Sequence, residues 1–147
     1  MGSPASERHS VALMALLHAM DAASAGRSSM QLDLRARRVI QAVGLAGALP
    51  IAAVGRRLGL HPSTMTSLVD RLADQGFVRR RPHPTDRRSM TVELTAKGER
   101  LFEREKDFYA RLIGRTLDTL EEPARRQVLA ALANLPPPDY RAGGAGG

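Results

Sequence analysis

Apolar residues recur at helical spacing along most of this chain, and at a period of two in one short stretch near its middle. Val11, Leu13, Met14, Leu17 and Met20 predict a first helix, capped by Ser3-Pro4 or Ser6 and stopped at Gly26. Residues 24–31 are linker-like. A second helix is expected from about Asp33 to Ala46, with Leu34, Val39, Ile40 and Val43 on its apolar side and a loosened end at Gly44 and Gly47. Pro50 opens a short third helix, which ends near Leu58 in the turn Gly59-Leu60-His61. The fourth begins at Pro62 behind a weak cap, His61, and runs to Gly76. Its core positions are Met65, Leu68, Val69 and Leu72. Short helix, glycine turn and longer helix in that order form a helix-turn-helix pattern.

After Gly76 the period changes. Residues 77–81 form one strand, and Met90, Val92 and Leu94 alternate with polar neighbours in a second. The prolines of residues 82–88 make the connection a rigid loop. Thr95 caps a long helix to about Leu120, whose apolar positions spread over more than one face. Glu121-Glu122-Pro123 starts a last helix, with Val128, Leu129, Leu132 and Leu135 on one side, and Pro136-Pro137-Pro138 ends it. The predicted class is mainly α with a small β-hairpin wing. Residues 32–95 would form a winged helix-turn-helix lobe, residues 1–31 and 96–138 a helical dimerisation region, and residues 139–147 a disordered tail.

Composition narrows the partners. The 147 residues carry 22 Lys and Arg against 15 Asp and Glu, a net charge of +7, which favours a polyanion such as nucleic acid. The absence of cysteine excludes disulfides, thiolate metal sites and thiol redox sensing, and fits the cytoplasm. No apolar run approaches the ~18 residues of a membrane span, so no membrane partner is expected. His9, His18, His61 and His83 are scattered, and no glycine-rich phosphate loop or nucleophile elbow occurs. Neither catalysis, a metal nor a cofactor is expected.

The chemistry lies in two places. Ser63, Thr64, Thr66 and Ser67 crowd the start of the fourth helix, where short hydroxyls reach base edges and free amides receive phosphate. The same residues also suit a helix start for purely structural reasons. Residues 76–90 hold Arg79, Arg80, Arg81, Arg87 and Arg88 against one acid, Asp86. Such a hairpin either reaches into a minor groove or is a charged, solvated edge. Asp86 is expected to brace the loop through a local ion pair.

The run GLHPSTMTSLVDRLADQGFVRRRPHPTDRRSMTVELTAKG resembles the winged helix-turn-helix core of the MarR family of bacterial transcriptional regulators. Its most specific parts are Asp86-x-Arg88 followed by Val92-x-Leu94-Thr95-x-x-Gly98, then Pro62-Ser63-Thr64-x-Thr66 and Leu68-Val69-Asp70-Arg71-Leu72 with Gly76. The resemblance implies that Pro62, Ser63 and Thr66 face base edges, that Thr64 meets phosphate, and that Arg88, with Arg87 beside it, enters the minor groove. Ser67, Arg71 and Arg80 complete the expected DNA-binding set. Gly55 departs from the family, which usually has Ala there.

The resemblance further implies a homodimer made by the outer helices, a ligand-responsive repressor of palindromic double-stranded DNA, and a small-molecule pocket between the dimer helices and the lobe. Arg38, His9 and His18 are possible polar contributors to that pocket. A non-specific architectural DNA-binding protein is the alternative, and a protein-interaction module with a basic face is a third reading.

Overall fold

The computed structural model describes residues 10–11, 14–15, 17–19, 21–23, 32–136 and 139. The chain divides into two units, residues 1–33 and residues 34–147. In the first, the described residues between 10 and 23 are helical, and Val11, Met14 and Leu17 are exposed. The expected cap at Ser3-Pro4 or Ser6, the apolar positions Leu13 and Met20, His9, residues 24–31, Pro137, Pro138 and residues 140–147 lie outside the described residues.

The second unit begins with helix α1 (Leu34–Ala46). Ala36, Val39, Ile40 and Val43 recur at i, i+3, i+4 and i+7 and are buried. Leu34, expected on that side, is instead exposed. At about 100° per residue it lies roughly opposite Ala36. Nor does the helix loosen at Gly44. It runs through to Ala46, and the Phe102 ring lies so close to Gly44 that a Cβ there would overlap it.

A strand that the sequence pattern does not reveal follows, β1 (Leu49–Pro50). Pro50 therefore does not open the next helix but stands just outside it as the N-cap of α2 (Ile51–Arg57). Then come α3 (Pro62–Asp74), β2 (Val78–Pro82), β3 (Met90–Leu94), the long α4 (Ala96–Leu117) and α5 (Glu122–Ala133). The sheet is antiparallel in the order β1-β3-β2. Leu49 pairs with Val92, and Val78 with Leu94. A proline is tolerated in β1 because an edge strand leaves one side of its backbone unpaired.

Glycine sets both ends of the helix-turn-helix. Gly59 (φ 64°) and Gly76 (φ 77°) are left-handed. Each follows a helix whose last carbonyls accept the next amides: Leu60 N to Gly55 O and Gly59 N to Arg56 O, then Phe77 N to Leu72 O and Gly76 N to Ala73 O. This is the Schellman stop, and only a residue without a Cβ adopts it freely. Gly55, the departure from the family, faces α3. A Cβ there would stand 3.2 Å from Met65 Cγ, so glycine lets this methionine fill the helix–helix contact.

The core gathers Val39, Ile40 and Val43 of α1, Val54 of α2, all four expected residues of α3, Val78 and Val92 of the sheet, and Leu101 of α4. Beyond this core the cover thins. Phe108, Tyr109, Leu112 and Ile113 of α4 are only half-buried, and α5 buries no residue. Among the described residues, no helix is long and apolar enough to cross a membrane.

Candidate nucleic-acid interface

The start of α3 is exposed, as base reading would require. Pro62, Ser63, Thr66, Ser67 and Arg71 are all exposed, and Thr64 is half-buried. Pro62 has no N–H to satisfy, so the first free amide is that of Ser63. It donates to His61 Nδ1 at 3.4 Å, and the Ser63 hydroxyl meets the same nitrogen at 2.8 Å. His61 is therefore a working cap rather than a weak one, because its ring nitrogen replaces the oxygen that caps usually supply.

The five wing arginines divide by strand alternation. Arg79 and Arg81 lie on the face of the hairpin that carries Glu93, the direct partner of Arg79 across the strands. Arg81 Nε donates to Glu93 Oε1 at 2.9 Å, and Arg79 Nε donates to the same oxygen. These bonds, that of Arg81 first, hold the Glu93 carboxyl below its ordinary pKa. Two of the five charges are thus partly neutralised. Sequence reasoning passed over Glu93: the period-two pattern made it a polar position of the second strand, but its pairing with Arg79 depends on a register that the pattern does not give.

Arg80 points the other way. Its Nη2 lies 2.7 Å from Asp70 Oδ1 and 3.3 Å from the Thr66 carbonyl oxygen, both on α3. Only Arg87 and Arg88 remain at the tip, both exposed. A cleft of ≈ 460 Å³ opens beside them, lined among others by Ile51, Leu60, Met65, Arg56, Arg80 and Arg88.

The tip itself is held by Asp86 and His83. Asp86 Oδ1 accepts the Arg88 amide at 3.0 Å, Oδ2 accepts the Ser89 hydroxyl, and the Asp86 carbonyl accepts the Ser89 amide at 3.0 Å. The bond from Ser89, then that from Arg88, lowers the Asp86 pKa below its ordinary 3.8. The brace expected of Asp86 is thus made by an amide and a hydroxyl, not by an arginine side chain. His83 is half-buried. Its Nδ1 accepts the Asp86 amide at 3.1 Å and the Thr85 amide at 3.3 Å. The chain between them closes as His83 N donates to Ser89 O at 3.0 Å.

A second junction ties α3 to α4. Thr95 Oγ1 accepts the Gly98 amide at 3.2 Å, capping α4, and donates to the Gly76 carbonyl at 2.5 Å. Lys97 Nζ donates to Gln75 O at 2.6 Å and lies 4.4 Å above the Phe77 ring. Gly98 passes so near the Phe77 carbonyl that a Cβ would overlap it. Two turns further along the same face of α4, Glu105 is buried against Arg37 (3.7 Å) and accepts from Gln41 at 3.3 Å. Of the polar contributors expected for an effector pocket, Arg38 and His18 are exposed and His9 lies outside the described residues.

Comparison with known proteins gives this arrangement a context. The family model described as "MarR family" matches residues 38–90. The HTH-type transcriptional regulator YfiV of Bacillus subtilis is 33% identical over 75 residues, 50% of this chain and 47% of its own length. Regulator Mb0904 of Mycobacterium bovis is 33% identical over 89 residues, 60% of this chain and 62% of its own. The chain thus spans about half to three fifths of the curated relatives it matches. A solved structure titled as Streptococcus pneumoniae FabT in complex with DNA superposes with a TM-score of 0.67 at 20% identity, covering 87% of this chain and 92% of that one. The likeness shows the fold: a helical chain carrying a winged helix-turn-helix.

Proposed function

Residues 38–90 match the model of the MarR family, and from that match we propose that this protein is a DNA-binding transcriptional regulator acting as a homodimer on palindromic sites. One observation carries the reading. The exposed hydroxyl-rich start of α3 and the arginine tip of the wing are each braced by local hydrogen bonds and belong to one compact unit. A helix of this size enters a major groove with its first turn toward the bases, and an arginine tip suits the narrow groove beside it. The matched regulators, and the DNA complex of the FabT structure, support the same direction.

In this reading Pro62, Ser63 and Thr66 face bases, Thr64 and the α3 amides meet phosphate, and Ser67 and Arg71 flank them. Arg88 enters the minor groove with Arg87 beside it. Dimerisation answers the uncovered apolar positions: Leu129 and Leu132 on α5, Leu135, which was expected on that helix but lies just beyond its end, and Val11, Met14 and Leu17 near the N-terminus. Two-fold symmetry is the common outcome for such surfaces and matches an inverted repeat. Regulation follows from geometry. The two recognition helices must sit about one helical turn, ~34 Å, apart, so a small molecule that binds only a misaligned state releases the DNA by population shift.

The test is a competition titration against duplexes from the promoter regions bordering the gene. A regulator holds one of them against excess random duplex. Displacement as easy from that duplex as from any other would favour the non-specific architectural reading instead.

A further inference from the structure

Arg80 leaves β2 on the same face as Val78 and beside Val92, both buried. Its stem therefore runs along the core side of the hairpin, away from the face where Arg79 and Arg81 meet Glu93. The guanidinium emerges against the second turn of α3, with its side chain 32% exposed. There Nη2 bridges Asp70 Oδ1 at 2.7 Å and the Thr66 carbonyl at 3.3 Å. Asp70 is the more open partner, at 56% exposure, and it stands one turn along the helix from Thr66. Left alone, that carboxylate would confront the phosphates of any duplex seated on α3.

Resting on the reading of α3 as the base-reading helix, we infer that Arg80 is a positioning residue rather than a DNA contact. It bridges Asp70 and the Thr66 carbonyl, fixes the turn that carries Thr66 against the wing, and cancels the acid that α3 presents. An exposed ion pair adds little to folding, so the consequence falls on DNA binding. Both acceptors are met by the one Nη2 nitrogen, so the bridge needs a positive charge and two N–H donors at that point rather than the whole guanidinium fork.

The experiment uses the full chain and the duplex it selects from a random pool. Binding is measured for Arg80→Ala, Asp70→Asn, the double variant and Arg80→Lys. Arg80→Ala lowers affinity about tenfold, but only about threefold or less when Asp70→Asn is already present, since partners in contact are not additive. The slope of log affinity against log salt stays unchanged in Arg80→Ala. Arg80→Lys, which keeps the charge and can offer one nitrogen to both acceptors, retains affinity and discrimination that Arg80→Ala loses. Equal losses in both backgrounds, with a slope reduced by about one, would make Arg80 a phosphate contact and overturn the inference alone. Failure of the unmodified chain to select any duplex would overturn the DNA reading of α3 and the inference with it.

Discussion

At the wing tip, two carboxylate oxygens decide where two arginines point. Asp86 holds the Arg88 amide and the Ser89 hydroxyl, so the backbone around Arg88 is fixed while its side chain stays exposed. Arg88→Ala is expected to weaken binding by about 1–3 kcal/mol and to remove preference for A·T-rich flanks. Unchanged affinity and flank preference in a gel-shift series would take Arg88 off the contact surface. Thr66→Ala should relax base preference inside the half-site while leaving the salt dependence as it was. The brace has its own pH signature. The folded Asp86 pKa lies below the ordinary 3.8, so its stabilisation is complete above 3.8 and lost only as pH falls further, through the lowered value. The Arg88 amide signal in an NMR titration should therefore hold steady from neutral pH to about pH 5. Loss well above that pH would mean that the Asp86 carboxylate does not control the loop. The sequence made Asp86 legible as a brace because a lone acid among arginines has few other uses. It could not show the donors, which follow from how the loop closes, nor that His61 and His83 offer ring nitrogens to backbone amides.

Helix periodicity was the most readable signal at the next level. The buried face of α3 matched the pattern at Met65, Leu68, Val69 and Leu72, and the glycine turns stand where the sequence placed them. Three features escaped it, each for a local reason. The strand β1 spans two residues, too few to show a period. Leu34 is apolar but falls outside the arc that α1 buries. The five wing arginines read as one basic run, although strand alternation sends Arg80 to α3, Arg79 and Arg81 to Glu93, and leaves the tip to Arg87 and Arg88. The junction of α3 with α4 was legible only as the motif Thr95-x-x-Gly98. Its physical content is a crossing so close that only glycine fits beneath the Phe77 carbonyl. Gly98→Ala should therefore destabilise the lobe by about 1–3 kcal/mol, as overpacking does. Urea unfolding measures it, and an unchanged midpoint would mean that the junction relaxes without strain.

For the molecule as a whole, the telling feature is apolar surface without cover. A single chain leaves Leu129 and Leu132 of α5, and Leu135 just beyond it, exposed at 41%, 39% and 65%. A partner surface shows in one sequence only as such leftover positions, so the outer helices were assigned to dimerisation by the resemblance, with the many-sided apolar pattern of the long helix as its support. If they pair, Leu132→Asp should shift the protein from dimer to monomer in sedimentation velocity at micromolar concentration and weaken operator binding far more than single-site contacts do. A variant that stays dimeric would move the interface elsewhere. The central claim is that two such lobes read an inverted repeat. Selection of bound duplexes from a random pool, followed by sequencing, tests it most directly. The account predicts enrichment of a two-fold symmetric motif whose half-site centres lie about one helical turn, ~34 Å, apart, with A·T-rich flanks under the wing. A pool that emerges without enrichment, or with a single unrepeated half-site, would contradict it.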